Sequence, residues 1–279
     1  MSDTALGAAA VEHAPPPPQA KWTGLRIAGY LLVSFWSLAG LGLIWFLVDS
    51  YSPVFVVRYG PKFISGFIVT IELVLVSIIL GALISLPIAF GRMSRNRIIG
   101  AFAYAYVYFF RGTPLIAQTF LVYYGAGSFR EFFEDINLWW FFRDAWYCAI
   151  FTFSLNTAAY QAEILRGAIE NVPRGQIEAG QSLGLPRWVI FIRVVLPQAF
   201  IVALRPYGNE IILMIKGSAI ASVITVYDLM GETKRAFSRS YDFQTYLWAA
   251  IMYLVIVETL RRFWDKLDAR LTRHLERAG

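Results

Sequence analysis

The sequence predicts an all-α polytopic membrane protein with six transmembrane helices and a helical loop on the cytoplasmic side. Of its 279 residues, 57% are hydrophobic and only 16% are charged, which is unusual for a soluble domain. Uncharged runs of about 20 residues recur along the chain, and each is long enough to cross a bilayer as a helix. The basic residues cluster beside these runs, as they do at cytoplasmic membrane flanks, so the net charge of +6 does not indicate a nucleic-acid partner.

Two segments precede the main block of predicted spans. Residues 1–20 are rich in Ala and Pro and are predicted to be a disordered cytoplasmic tail. Residues 21–62 hold the first apolar run, 27–48, and then a loop outside the membrane. This run is longer than the apolar part of a signal peptide, and no A-x-A cleavage site follows it. We therefore expect it to remain as a transmembrane helix.

Five further apolar runs complete the six predicted spans: 63–90, 102–124, 146–165, 198–220 and 245–260. Two of them contain helix-breaking residues. Pro87 is expected to break the second span, and Arg111-Gly112-Thr113-Pro114 is expected to kink or break the third. The physical reason is that proline removes a backbone donor while glycine lets the chain bend.

The distribution of positive charge predicts the orientation. No acidic residue offsets Arg92, Arg95 and Arg97, so this connection is expected in the cytoplasm. Because the spans alternate, both termini and the loop that contains Glu178 are also expected inside. The segments outside the membrane are then predicted to be 51–62, 130–144 and 223–242.

Four polar residues fall near the middle of three predicted spans: Glu72, Asn156, Asn209 and Glu210. At about 1.5 Å of rise per residue they lie roughly 14–18 Å into the membrane. Polar groups at that depth are costly, which makes them candidates for substrate contact. The alternative is that they hydrogen-bond neighbouring helices. Both interpretations stay open for Glu72 and Glu210, whereas bonding between helices is favoured for Asn156.

Residues 160–197 carry seven charged side chains although apolar sequence lies on both sides: Glu163, Arg166, Glu170, Arg174, Glu178, Arg187 and Arg193. So many charges cannot lie in hydrocarbon, so we expect a water-exposed loop, with Glu163 and Arg166 paired at its start. Pro173 predicts the start of a short helix, and Gly184-Leu185-Pro186 predicts its end. A second helical segment is expected after Pro186, ending at Leu196-Pro197.

The loop resembles the EAA loop of bacterial ABC-importer permeases. The resemblance rests on Glu178-Ala179-Gly180, on Gly184 six positions after the glutamate, and on Val194-x-Leu196-Pro197. The family pattern has Ala at position 180 and Ile at position 194. Further segments, RGTP, NTAAYQAEILRGAI and LRPYGNEIILMIKGSAIASVITVYDL, resemble permeases for polar amino acids, closest to the histidine/basic amino-acid and opine branch. The match runs over 63–267, although KGSAI replaces the family's Lys-x-Thr-Ser-Leu and the first span lies outside the common five-span unit.

The resemblance implies a non-catalytic permease in a bacterial inner membrane, built from a transmembrane domain at 63–267 and a cytoplasmic tail at 268–279. It implies these partners: ABC ATPase subunits that bind ATP and Mg, a second identical or similar permease, a periplasmic substrate-binding protein and membrane lipid. The sequence contains no Gly-Lys dipeptide and hence no P-loop, so this chain cannot be the ATPase.

Two groups of site residues follow from the resemblance and from depth in the membrane. The candidates for coupling to the ATPase are Arg174, Glu178, Ala179, Gly180, Gly184, Leu196 and Pro197. The candidates for substrate contact are Glu72, Thr113, Asn156, Asn209 and Glu210. The expected substrate is a polar, basic or opine-like amino acid.

Two other functional classes remain open at this stage. An ion- or proton-coupled secondary transporter would use Glu72 and Glu210 as ion sites, with the charged loop as a mere connection. A non-transporting membrane anchor or assembly protein would have no need of polar groups in three spans. Persistence of transport after the ATPase is inactivated would distinguish the first of these from an ABC importer.

Overall fold

The computed structural model describes residues 23–49 and 51–273, and nearly all of them are helical. The α-helices in these ranges are α1 (Gly24–Asp49), α2 (Pro53–Arg92), α3 (Arg97–Gly112), α4 (Leu115–Ser128), α5 (Arg130–Asp135), α6 (Trp139–Phe142), α7 (Ala145–Glu170), α8 (Arg174–Ser182), α9 (Arg187–Ile190), α10 (Leu196–Ser218), α11 (Leu229–Ser240) and α12 (Gln244–Thr272). A π turn (Phe191–Val195) joins α9 to α10, and a 3₁₀ segment (Ala219–Ile224) follows α10. The described ranges contain no β-strand, which confirms the all-α prediction.

The chain divides into two compact units, Met1–Tyr51 and Ser52–Gly279. The described part of the first unit is α1, which confirms the helix predicted at 27–48; the tail predicted at 1–20 lies outside the described residues. Within the described residues, three helical stretches are long and apolar enough to cross a membrane: Gly24–Asp49, Pro53–Arg92 and Arg187–Ile224. The expected tail at 268–279 begins inside α12, and residues 274–279 also lie outside the described ranges.

Helix α2 is longer than the sequence predicted. It begins at Pro53, so the expected outer loop at 51–62 is mostly helical, and it continues past Pro87 to Arg92. The start is favoured because the Ser52 side chain accepts a hydrogen bond from the Phe55 N–H (3.4 Å) and because proline suits the first helical position. The prediction of a break at Pro87 was wrong. Long apolar helices tolerate an internal proline when packed neighbours stabilise the affected turn, and Ser85 and Ala89 on either side of Pro87 are buried.

The third predicted span is broken where the sequence indicated. Helix α3 ends at Gly112 and α4 begins at Leu115, and Thr113 and Pro114 between them are extended. The residue before a proline is pushed away from helical torsion angles, so Thr113 cannot continue α3. This break confirms the prediction and turns the chain so that both halves can pack beside α7.

The charged loop contains the predicted short helix, α8, directly after Pro173. Gly184 has a φ of +70°, the left-handed conformation that glycine adopts without steric cost. The Leu185 N–H donates to the Gly180 carbonyl (3.1 Å), which completes a Schellman motif and confirms the predicted C-terminal signal. The predicted end at Leu196–Pro197 was wrong, because the helix continues through the π turn into α10. Pro197 directly follows the π turn, and a local π adjustment of this kind lets a helix continue past a proline.

The main hydrophobic core lies among α2, α7, α10, α11 and α12, with fully or nearly fully buried side chains such as Leu73, Phe153, Met214, Leu229 and Ile256. The segment predicted to lie outside the membrane, 223–242, is largely helical because it contains α11. Its N-cap residue Asp228 accepts a hydrogen bond from the Gly231 N–H (2.8 Å). The Leu229 N–H donates to the Thr70 hydroxyl (3.0 Å), so α11 is bonded directly to α2.

Candidate functional site

Helix α10 carries Glu210 into a small cavity between α4, α7 and α10. The Glu210 side chain is buried, and the Thr157 hydroxyl donates to its Oε1 (2.9 Å). The cavity has a volume of about 220 Å³ and these lining residues: Leu115, Asn156, Tyr160, Glu210, Leu213 and Met214. A carboxylate in a mostly apolar enclosure requires a cation or a donor, so this cavity is suited to a ligand with a positively charged group.

Asn156 forms one wall of this cavity and also bonds two other helices. Its Nδ2 donates to the Phe110 carbonyl (3.0 Å) and to Gln118 Oε1 (3.0 Å). Gln118 Nε2 in turn donates to Thr113 Oγ1 (2.7 Å). These bonds fix the break between α3 and α4 against α7, so Asn156 and Thr113 hold the shape of the cavity wall. Gln118 was missed in the sequence; its signal is a polar residue four positions after Pro114 in an apolar run.

Tyr160, which was not among the residues predicted from the sequence, connects the Glu210 cavity with two larger cavities. One of them, of about 390 Å³, is lined by Tyr160 together with Arg111, Glu163, Ile164, Gly167, Ala168, Val202 and Pro206. The other, of about 330 Å³, shares Arg111, Tyr160 and Glu163 and is otherwise bounded by α3 and Arg92. The Arg111 guanidinium lies 5.1 Å from the centre of the Tyr160 ring, within cation–π range.

Glu163 is the centre of a cluster of arginines next to these cavities. Its Oε1 accepts from Arg92 Nε (2.9 Å), and its Oε2 accepts from Arg166 Nη2 (2.7 Å). The second contact confirms the ion pair predicted from the spacing of Glu163 and Arg166. Arg111 Nη1 is farther away, at 4.0 Å from Glu163 Oε2. The cluster bonds the end of α2 to the second half of α7.

Two of the predicted substrate residues do not join Glu210. Glu72 is exposed on α2 and lines none of the cavities around Glu210. Asn209 is exposed and lines a different cavity, of about 530 Å³, between α10 and α12, with Arg205, Trp264 and Asp268 among its other lining residues. Consecutive residues of an α-helix point about 100° apart, so Asn209 and Glu210 cannot face the same cavity.

The charged loop contains the short helix α8, which packs on a small hydrophobic core within the loop. Arg174, Glu178 and Ala179 are exposed on α8, whereas Gly180 is buried against Ile190. A Cβ at position 180 would lie 3.0 Å from the Ile190 side chain, which leaves Ala179 as the small residue presented at the surface.

The loop is also fastened to the helix that follows it. Gln198, near the start of α10, donates to Gln176 of α8 and to the Val194 carbonyl. Gly184 and Pro197 are exposed and Leu196 is half-buried. The coupling candidates thus lie on α8, at its C-terminal turn and at the first turn of α10.

Comparison with known proteins shows the family. Residues 77–273 match the family described as the binding-protein-dependent transport system inner membrane component. The chain belongs to this family. The permease is 40% identical to the nopaline transport system permease protein NocM of Agrobacterium fabrum, over 79% of this chain and 92% of that protein. It is 34% identical to the histidine/lysine/arginine/ornithine transport system permease protein HisM of Escherichia coli K12, over 78% and 91% of the two chains.

A solved structure has the same fold. The permease superimposes on a chain from a crystal structure of an amino acid ABC transporter with histidines with a TM-score of 0.70 and 33% sequence identity. The match covers 79% of the permease and 99% of that chain. Membership of a binding-protein-dependent family favours the ABC permease over the ion-coupled secondary transporter considered from the sequence.

Proposed function

We propose that this permease is the transmembrane subunit of an ABC importer for basic amino acids or opine-like derivatives. The observation that carries the proposal is the buried carboxylate of Glu210 in a cavity walled by Asn156 and Tyr160. Relatives named for nopaline and for histidine, lysine, arginine and ornithine support it, because all of these compounds combine basic nitrogen groups with carboxylate.

Glu210 is the group that would bind the positive end of the substrate. Thr157 is its one hydrogen-bond partner among the described residues and occupies Oε1, so Oε2 remains for an ammonium or guanidinium group. A charge-assisted hydrogen bond in a water-poor cavity is stronger than one in solvent. Thr157 would fix the orientation of the carboxylate while the substrate passes.

Alternating access would be driven by a separate ATPase bound at α8. The loop is proposed to lie in the cytoplasm, where Arg174, Glu178 and Ala179 present an exposed helical face to that subunit. The bond from Gln198 to Gln176 gives a direct connection from this face to α10 and hence to Glu210. ATP-driven movement of α8 would therefore move the cavity wall. A second permease and a periplasmic binding protein complete the proposed importer.

Uptake of labelled arginine tests the role of Glu210. Glu210→Gln should reduce uptake strongly, about 10-fold or more, because the amide keeps the shape but loses the charge that binds the cation. Glu72→Gln, which changes an exposed acid on α2, is the matched control and should have a small effect. Undiminished uptake by the Glu210→Gln variant would contradict the proposed substrate site.

Substitutions on the loop test the proposed docking of the ATPase. Ala179→Trp puts a bulky side chain on the exposed face of α8, and Gly184→Asp strains the left-handed turn that ends it. Both variants should lose co-purification of the ATPase, or substrate-stimulated ATP hydrolysis, while still inserting in the membrane. Ser238→Trp, an exposed position on α11, is the control. Normal coupling in both loop variants would eliminate α8 as the docking element.

The proposed topology has six spans with both termini in the cytoplasm. Reporter fusions at Ser2 and at Gly279 should both give a cytoplasmic signal, because the arginines near 92–97, with no acidic residue in their own connection, fix the orientation. A periplasmic signal at either end would contradict the model of six spans. Uptake that continues with an inactive ATPase would instead support the secondary transporter.

A further inference from the structure

The cluster around Glu163 contains more positive than negative charge. Three arginines, Arg92, Arg111 and Arg166, lie within 4.0 Å of Glu163, and Glu170 adds a second carboxylate through Arg166 (2.6 Å). Three cations therefore face two carboxylates among the described residues. The cluster is only partly withdrawn from water, so the guanidinium with the longest contact to Glu163 remains accessible to an anion.

Of the three arginines, Arg111 makes the longest contact with Glu163. The Arg92 and Arg166 side chains are 19% and 27% exposed and make bonds of 2.9 Å and 2.7 Å to Glu163. The Arg111 side chain is 45% exposed, and its nearest contact with Glu163 is 4.0 Å, which is beyond hydrogen-bonding distance. Its guanidinium lies over the Tyr160 ring and lines both larger cavities. The N–H donors of Arg111 thus have open space in front of them.

Tyr160 separates two opposite charges along the same set of cavities. On one side it lines the cavity that contains the Glu210 carboxylate, and on the other it lines the cavities that contain the Arg111 guanidinium. A molecule that carries both a cationic group and a carboxylate could satisfy both charges at once. An opine, which has carboxylates on both of its joined parts, would fit this arrangement well.

We propose that Arg111 binds a carboxylate of the transported substrate, so that Arg111 and Glu210 form a two-point site on either side of Tyr160. This inference rests on the proposed function and adds the anionic half of the recognition. Guanidinium suits the task because its planar fork can donate two parallel hydrogen bonds to one carboxylate. A purely structural role for Arg111 is the weaker explanation, since Glu163 is already bonded by Arg92 and Arg166 at shorter distances.

The experiment compares the binding of arginine with that of agmatine, which lacks the carboxylate and is otherwise the same molecule. Binding is measured by calorimetry on the purified permease–ATPase complex without binding protein, so that only the transmembrane site selects the ligand. The unmodified complex should prefer arginine. Arg111→Met should weaken arginine binding about 10- to 100-fold, and Arg111→Lys should weaken it less, since lysine keeps the charge but loses the fork. Agmatine binding should change little in either variant.

Two further variants make the result specific. Arg95→Met removes an exposed arginine from the connection between α2 and α3 and, as the control, should leave the preference for arginine intact. Tyr160→Leu removes the ring under Arg111 and should reduce the preference.

The outcomes separate this inference from the proposed function. If Arg111→Met weakens both ligands equally, or neither, or if the unmodified complex binds the two equally, Arg111 is not the carboxylate receptor, while the importer assignment stands. If the unmodified complex binds neither ligand, the proposed substrate class fails and the role of Arg111 fails with it. Loss of ATPase co-purification in Arg111→Met would show a structural role and would also overturn the inference.

Discussion

Replacing Gly66 by alanine should push α11 away from α2, although it adds only one methyl group. A Cβ at this position would lie 2.8 Å from the Asp228 carbonyl oxygen and 3.0 Å from Leu229 Cα, and backbone atoms cannot move aside as a side-chain tip can. Overpacking of this kind costs about 1–3 kcal/mol. Displacing α11 would also weaken the bond from the Leu229 N–H to the Thr70 hydroxyl, at about 1 kcal/mol. The higher helix propensity of alanine offsets about 1 kcal/mol, so the net loss is about 1–3 kcal/mol.

The matched control is Gly60→Ala, less than two turns earlier on the same helix. The nearest atom to a Cβ at position 60 is a Val56 methyl at 3.9 Å, an ordinary contact, so this variant should only gain helix propensity. The two variants should differ by about 2–4 kcal/mol, or about 5–15 °C in the melting temperature of the detergent-solubilised protein. The reasoning is refuted if Gly66→Ala melts at or above the temperature of Gly60→Ala.

Three further predictions concern other contacts. Burial, opposed by backbone N–H donors, raises the pKa of Asp228 from 3.8 to about 6, so its contribution to stability is lost as the pH rises from about 4 to about 6. Over that window the free energy of unfolding of Asp228→Asn should rise by about 3 kcal/mol relative to that of the unmodified protein. The same change in melting temperature between pH 4 and pH 7 in both proteins would contradict this. Gly208→Ala would bring a Cβ within 2.6 Å of the Trp264 indole, so we expect a fall of several degrees in melting temperature, and an unchanged value would show that the indole moves aside freely. Glu163→Gln leaves two arginines without their carboxylate and should lower the free energy of unfolding by about 1–3 kcal/mol. Glu170→Gln, at a half-exposed pair, should lower it by less than about 1 kcal/mol. Equal melting temperatures of the two variants would show that Glu163 does not hold the arginine cluster together.

The features that could be predicted from the sequence are those with a local cause. The break at Thr113–Pro114 follows from the torsional restriction that proline imposes on the residue before it. The left-handed Gly184 and the short helix before it follow from the helix-ending signal in the loop. By contrast, Pro87 and Pro197 do not end helices, because tolerance of a proline depends on its position in the turn and on the neighbours that stabilise it.

The residues of the candidate site were harder to predict, because the depth of a residue in the membrane does not say which way its side chain points. The sequence gives the distance of a residue along its span, but a span that is apolar on all sides carries no signal for which face meets which neighbour. Glu72 and Asn209 have the right depth and face elsewhere. Gln118 and Tyr160 lie at the candidate site because the broken third span packs against α7, and that packing depends on the tertiary structure.

The π turn between α9 and α10 is an extra residue that the helix absorbs locally. Its i→i+5 bonds hold one residue more than the α-helical turn that would replace it. Deleting one residue from Phe191–Val195 should therefore give a continuous α-helix and leave the charged loop and the Glu210 side of α10 in nearly their present relative orientation. A residue inserted elsewhere in the helix, without a second π turn to absorb it, would instead turn the loop by about 100° about the helix axis.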